Sequence, residues 1–307
     1  MLTRTGVGVG RVTILLRRQL TDYLNRHADL VLPLPAVATT AALMILPIAY
    51  TIYLSFHSWY AASGAPPAFN GLSNYQELLQ DHEFLNSIWH TVYFTVLALA
   101  VQVVLGVGAA LIFNREFAGR GIARTLFLFP MMATPVAVAL VWRVMYDPSL
   151  GVLTYLFSFG GPPVMWITDQ NMVIPSLVIV DSWRNVPFVA IIVLAGLSVL
   201  PHEPYEAARI DGASSWQTFW SITLPLLRPA IVTAMLFRTI DTLKMFDIIF
   251  VITNGGPNNA SETTNLFAYR TGFDYFQMGY VSAALVVLFL LVIGVSLALI
   301  QVRRASW

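Results

Sequence analysis

The 307 residues are 57% hydrophobic and only 11% charged, so one soluble core cannot wrap the chain without leaving apolar surface in water, and the solvent must be mostly lipid. A formal net charge of +1 excludes a strongly basic or acidic partner surface, nucleic acid included. The absence of cysteine excludes disulfides, thiolate metal sites and thiol catalysis.

Residues 1–30 are polar and carry Arg4, Arg11, Arg17, Arg18 and Arg26, too many charges over too great a length for the head of a signal peptide. No Ala-x-Ala-like cleavage site follows the next hydrophobic run, so no removed presequence is expected. Within this segment Val12, Leu15, Leu16, Leu20, Tyr23 and Leu24 fall at helical spacing. The pattern fits an amphipathic helix lying on headgroups; the alternative is a frayed tail.

The first span, 31–56, is uncharged and about 39 Å long at 1.5 Å per residue, longer than a ~30 Å hydrocarbon core. Pro47 inside it predicts a kink. Five further spans follow by hydropathy, at 87–113, 125–146, 172–200, 230–253 and 278–302. Gly106 and Gly108 in the second, with Gly294 and Ser296 in the sixth, are small residues of the kind that lets helices approach closely in lipid. Twelve of the seventeen Lys and Arg residues lie in the two tails and in the loops 114–124 and 201–229. The intervening loops hold only Arg270, so both termini and the 201–229 loop are expected on the cytoplasmic side of a six-span, all-α membrane protein.

That loop is a polar interruption carrying helix-forming residues where plain connecting chain would suffice. Pro204 to Ala208 reads as a helix start, with Glu206 at the positive end of its dipole. Gly212 breaks this helix, and Ala213-Ser214-Ser215 offers an N-cap for a second one over Trp216 to Thr223. Trp216, Phe219, Trp220 and Ile222 are too apolar for a freely solvated loop; they must bury against lipid, the bundle or another protein.

The run Glu206-Ala207-Ala208, three residues, Gly212, nine residues, then Ile222-Thr223-Leu224-Pro225 resembles the cytoplasmic motif of permease subunits from binding-protein-dependent ATP-driven (ABC) importers. Further stretches are similar to the sugar branch of that family, the maltose and glycerol-phosphate type: Gly71-Leu72-Ser73-Asn74-Tyr75, Asn114-Arg115 through Gly119-Arg120-Gly121, Trp183-Arg184-Asn185-Val186-Pro187-Phe188, and Asn254-Gly255-Gly256-Pro257. The last of these, followed by Thr263, resembles the first of two unlike permeases. The resemblance implies a type I importer architecture over residues 31–307 in a prokaryotic plasma membrane. Its partners would be a second permease, two ATPase subunits and an extracellular or periplasmic solute-binding protein. ATP and Mg would bind the ATPase partner and no cofactor this chain, which lacks a phosphate-binding Gly-x-x-x-x-Gly-Lys-Ser/Thr. It also implies an ATPase-coupling role for Glu206, Ala207, Ala208, Asp211, Gly212, Ile222, Leu224 and Pro225.

Seven charges fall within the spans: Arg143, Asp181, Arg184, Arg238, Asp241, Lys244 and Asp247. Each costs at least ~2.5–3.5 kcal/mol at mid-bilayer and therefore needs a partner or a wet cavity. Arg238, Asp241, Lys244 and Asp247 alternate in sign at a spacing of three, which allows mutual neutralisation along one helix; Asp181 and Arg184 have the same spacing. The other reading is an aqueous path for a hydroxyl-rich substrate, with Asp181, Trp183, Asn185 and Phe188 supplying carboxylate, amide and aromatic groups around Pro187. By resemblance, substrate-pathway positions transfer to Asp181, Arg184, Asn185 and Phe188, and to Arg238, Asp241, Thr242 and Met245. Arg143 beside Trp142 is expected to snorkel to headgroups.

The five histidines show no metal spacing, and no triad or carboxylate pair suggests an enzyme. The reading is a permease subunit for a di- or oligosaccharide. A phosphorylated polyol remains an alternative because Arg184 and Arg238 suit an anion, and an ion-coupled carrier is a second, although such carriers usually show internal repeats that are not found here. A pathway-free scaffold is a third; it predicts no ATPase partner.

Overall fold

The computed structural model describes residues 32–304, so the amphipathic helix expected within residues 1–30 lies outside the described residues. The chain divides after Tyr53 into two units. Most of the first span belongs to the first unit: α1 (Leu34–Ser55) continues as α-helix across Pro47, with Thr51 Oγ1 donating to the Pro47 carbonyl at 2.9 Å.

In the second unit a small hairpin, β1 (His57–Ser58) and β2 (Ala68–Phe69), precedes α2 (Ser73–Gln80). Asn74 holds this corner by donating to the carbonyls of Ser55 and His57 at 2.9 and 3.0 Å. The next helix, α3 (His82–Asn114), begins where Asp81 caps it, the carboxylate accepting from the N–H groups of Glu83 and Phe84. It starts five residues before the expected span because the cap, not hydropathy, sets its first turn.

The expected span 125–146 is two helices, α4 (Arg120–Met132) and α5 (Pro135–Met145), bent by 95° at Ala133 and Thr134. Pro135 explains the break. It has no N–H to return to the Met131 carbonyl, and its ring drives Thr134 into extended backbone at ψ 142°. A short helix, α6 (Val152–Ser158), leads to α7 (Val173–Ser198), the most enclosed of the long helices, and α8 (Glu203–Ile210) follows.

The expected fifth span also moves. Helix runs continuously from Ser215 to Leu243, as α9 (Ser215–Thr218), a π-turn at Phe219–Thr223 and α10 (Leu224–Leu243), rather than from 230 to 253. The wide turn sits where Pro225 cannot donate to the Ser221 carbonyl, so the proline is absorbed instead of ending the helix. At the far end Asn265 Nδ2 donates to the Lys244 carbonyl at 2.9 Å, and the chain restarts as α11 (Asp247–Ile252). Two last helices, α12 (Thr264–Tyr269) and α13 (Met278–Arg304), complete the unit. Among the described residues five helices are long and apolar enough to cross a bilayer, and six if α4 and α5 form one bent span.

The core is centred on α7, which packs against α3, α4 and α10. One apolar cluster joins Phe94 and Ala98 of α3 to Leu177 and Val180 of α7 and to Ile248 and Ile249 of α11; a second joins Ala110, Val189, Val193 and Leu227. Apolar burial gives no net drive between helices in lipid, so close approach and polar contacts carry the packing. Gly106 provides one such approach: a Cβ there would lie 2.6 Å from Val189 Cγ1. Among the described residues nothing lies within 4 Å of a Cβ built at Gly108 or Gly294, so neither sets a close helix contact among these residues.

Candidate functional site

Three helices meet in a closed polar ring at the middle of the bundle. Gln102 of α3 donates through Nε2 to Asp181 Oδ2 at 2.7 Å and accepts at Oε1 from Arg238 Nε at 2.8 Å. Arg238 Nη2 closes the ring on Asp181 Oδ2 at 2.8 Å. The remaining Asp181 oxygen, Oδ1, accepts from Asn185 Nδ2 at 2.7 Å. Arg238 is 3% exposed, and Asp181 and Gln102 are fully buried. A charge pair this deep survives only when paired and hydrogen-bonded on every side, which the ring accomplishes.

Asp181 therefore pairs across helices with Arg238 and not with Arg184 on its own helix. Arg184 instead reaches the bend between α4 and α5, where its Nε donates to the Ala133 carbonyl at 3.4 Å. The charge ladder on the fifth span is likewise shorter than its spacing suggests. Arg238 Nη1 meets Asp241 at 3.4 Å, but helix ends at Leu243, and neither Lys244 nor Asp247 lies within salt-bridge distance of an opposite charge among the described residues. Arg143, beside Trp142, is exposed, and its Nη1 donates at 3.0 Å to the Val251 carbonyl, near the C-terminal end of α11.

Beside the ring lies an open cavity of about 370 Å³. Of the sequence-selected residues, Arg184, Asn185, Phe188, Arg238, Asp241 and Met245 line it, joined by Lys244 and Asp247 and by Met131 and Pro135 from the α4–α5 bend. Asp181 and Thr242 do not. Asp181 is sealed behind Arg238, and Thr242 is buried with its hydroxyl donating to the Arg238 carbonyl at 2.8 Å. Trp183 points elsewhere, edge-on to Trp142 in an apolar groove on another side of α7. Gln102 escapes a search for charges. The one signal available is a lone amide inside the otherwise apolar stretch of α3.

The loop after α7 forms a second cluster. Pro204 and Glu206 sit in the first turn of α8, and the helix closes in a paired turn: Ala213 N–H donates to the Ala208 carbonyl at 2.9 Å and Gly212 N–H to the Arg209 carbonyl at 3.2 Å. Gly212 has φ +71°, which only glycine adopts without cost, and nothing crowds it. The next helix opens with a capping box, Gln217 N–H to Ser214 Oγ and Ser214 N–H to Gln217 Oε1. Glu206, Ala207, Asp211, Gly212 and Pro225 are exposed, Ile222 and Leu224 are half-buried, and Ala208 is buried beneath them. Ile210 (87% exposed), Trp216 and Trp220 leave a large apolar area uncovered beside the turn, with Phe219 packed against the two indoles.

Between α11 and α12 the Asn254-Gly255-Gly256-Pro257 segment folds into a compact loop. It is pinned by Arg270, which donates to the Asn254 carbonyl at 2.7 Å and to Glu262 at 2.9 Å. Burial holds the Glu262 carboxyl above the usual glutamate range, against the opposing pull of Arg270. No cluster of three metal-ligating side chains occurs among the described residues.

Residues 102–307 match the family model described as binding-protein-dependent transport system inner membrane component. The trehalose/maltose transport system permease protein of Thermococcus litoralis is 37% identical over 275 residues, covering 88% of this chain and 92% of that protein. The trehalose transport system permease protein of Mycobacterium tuberculosis is 32% identical over 285 residues, covering 93% and 91%. A chain in the crystal structure of a bacterial alginate ABC transporter, solved in complex with an alginate pentasaccharide-bound periplasmic protein, superposes with a TM-score of 0.78. At 21% identity, over 94% of this chain and 98% of that one, this likeness shows the fold alone.

Proposed function

This chain belongs to the family of binding-protein-dependent transport system inner membrane components, a multi-pass membrane protein and not an enzyme, and on that premise we propose that it is one permease subunit of an ATP-driven sugar importer. In this reading the chain crosses the prokaryotic plasma membrane six times, with α4 and α5 as one bent span and both termini in the cytoplasm. The skewed distribution of arginine supports that orientation. Two ATPase subunits, a second unlike permease and an extracellular or periplasmic solute-binding protein complete the complex. ATP and Mg belong to the ATPases.

The observation that carries the substrate reading is the charge balance of the 370 Å³ cavity. Arg184, Arg238 and Lys244 face Asp241 and Asp247, and Asp181 cancels Arg238 from behind, so the wall is polar on both signs and neutral as a whole. Such a surface offers donors and acceptors to hydroxyl groups without selecting an ion, with Phe188 and Met245 supplying apolar floor. A neutral mono- or disaccharide fits it best. A phosphorylated polyol is the second reading, favoured by Arg184 and Lys244, which have no carboxylate within ion-pair distance among the described residues.

Power is proposed to enter through the turn between α8 and α9. Glu206 and Asp211 would anchor it and Gly212 shape it in a cleft of the ATPase, with Ala207, Ala208, Ile222, Leu224 and Pro225 as supporting positions. The uncovered Ile210, Trp216 and Trp220 support this, because an apolar patch beside a rigid polar turn suits a protein partner. Uptake of labelled trehalose by cells expressing the full set of subunits tests the function. Loss on ATP depletion, persistence without an ion gradient and weak competition by glycerol phosphate are expected. Uptake that follows the ion gradient instead would sink the proposal.

A further inference from the structure

We propose that Gln102 is the positioning residue of the cavity: it fixes the direction in which Arg238 presents its free donors, and Asp181 acts through Arg238 without touching the substrate. The inference rests on the reading of the cavity as a sugar passage. A guanidinium has one edge formed by Nε and one Nη, and here Nε is engaged by Gln102 Oε1 and Nη2 by Asp181 Oδ2. The side edge is thus fully used. What remains is the end edge, the second N–H of Nη2 and the two of Nη1, and the Nη1 contact with Asp241 is long at 3.4 Å and readily exchanged for a hydroxyl.

Gln102 suits this place because, among the described residues, it alone bonds to both charged side chains of the pair with opposite polarity. Its amide gives a donor to the carboxylate and an acceptor to the guanidinium, which also settles its orientation. An apolar residue there would leave Arg238 Nε buried without a partner and its plane free to turn about the Asp181 contact. A carboxylate would place two like charges together unless one took up a proton.

Two measurements on the full chain in membrane vesicles separate this inference from the sugar reading. The first follows modification of Arg238 by butanedione with peptide mass spectrometry, and needs neither substrate nor partner. Gln102→Leu is expected to raise the rate about tenfold, or about 1.4 kcal/mol of lost restraint. An unchanged rate overturns the proposal even if the protein imports no sugar.

The second measurement is trehalose uptake by the assembled complex. Gln102→Leu should lower uptake at least about tenfold at equal amounts of complex. If Arg238 becomes reactive while uptake stays at the parental level, the positioning role is overturned and the ring is architectural.

Should the leucine variant fail to assemble, Gln102→Glu decides. Asp181 meets position 102 from α7, with Asn185 on its other oxygen, and Arg238 meets it from α10, with Asp241 at its Nη1. Once protonated, the introduced carboxyl group can restore the ring, so uptake should be greatest at acid pH and fall as pH rises. A profile parallel to that of the parent protein overturns the proposal. Vesicles in which the parent imports no trehalose refute the sugar passage alone, and the arginine chemistry still judges the clamp.

Discussion

The buried ring and the exposed turn are built in opposite ways. The backbone hydrogen bonds and the capping box that shape the turn between α8 and α9 join residues at most five apart, such as Ala213 to Ala208 and Gln217 to Ser214, and a longer link, Tyr205 to Thr223 at 3.3 Å, only braces its flanks. The ring instead joins residues separated by 79, 57 and 136 positions. The turn is rigid by its own sequence and can be offered to a partner intact, whereas the ring exists only when α3, α7 and α10 are in register. A local motif suits docking, because its shape is independent of what the bundle does. A long-range motif suits a passage, because any shift of one helix against another must break it.

The largest effect that tests this contrast is at Asp181. Changing Asp181→Ala leaves Arg238 charged and buried with only the long contact to the exposed Asp241 as an ion pair, a loss of up to about 3–5 kcal/mol. Melting of the purified protein should drop accordingly. The double variant Asp181→Leu with Arg238→Met removes both charges and should recover most of the melting temperature without recovering uptake. If the double variant imports sugar normally, the pair is a strut and Arg238 has no part in the passage.

Next comes the contact that lets the ring form. Gly106 lies one turn beyond Gln102, and Val189 one turn beyond Asn185, so the close glycine contact sets the distance across which Gln102 must reach. Gly106→Leu should cost about 1–3 kcal/mol by overpacking and should lower uptake along with stability. Gly108→Leu, facing open space, should do neither. Equal behaviour of the two variants would mean that the α3–α7 spacing does not govern the ring.

The same contrast explains what the sequence could reveal. The turn was legible residue by residue: proline in the first turn, glycine at the positive φ, serine at the cap. The family resemblance then agreed with the matches to relatives. Spans α3, α7 and α13 followed from hydropathy, because their ends coincide with loss of apolar residues, except at the start of α3, which the Asp81 cap sets. Hydropathy failed where proline and side-chain capping decide. It read through the 95° bend at Pro135, and it started the fifth span at residue 230 although the π-turn carries helix on from Ser215. The ring was half legible. Charges inside a span announce that they need partners, but same-helix spacing suggested Arg184 for Asp181, and only the packing of three helices selects Arg238 and brings in Gln102.

On the other side of the comparison, Gly212 should behave as a backbone switch with no packing consequence. At φ +71° a β-branched residue costs about 1–2 kcal/mol, while open space around it removes any clash. Gly212→Val should therefore insert normally yet lose co-purification with the ATPase, and Gly212→Asn, which tolerates this conformation, should keep most of it. Retention of the ATPase by the valine variant would show that the turn is not the dock.

The smallest effect is expected at Ser214, and it is the sharpest probe of whether the turn is self-sufficient. Its side chain satisfies the Gln217 N–H while Gln217 returns a bond to the Ser214 N–H, so Ser214→Ala orphans one donor at a site open to water. The cost should be about 1 kcal/mol, confined to the first turn of α9. Hydrogen exchange should rise at residues 214–218 while α10 and the ring stay protected. If exchange spreads to Arg238, the π-turn between α9 and α10 transmits strain, and the turn and the ring are one mechanical element instead of two.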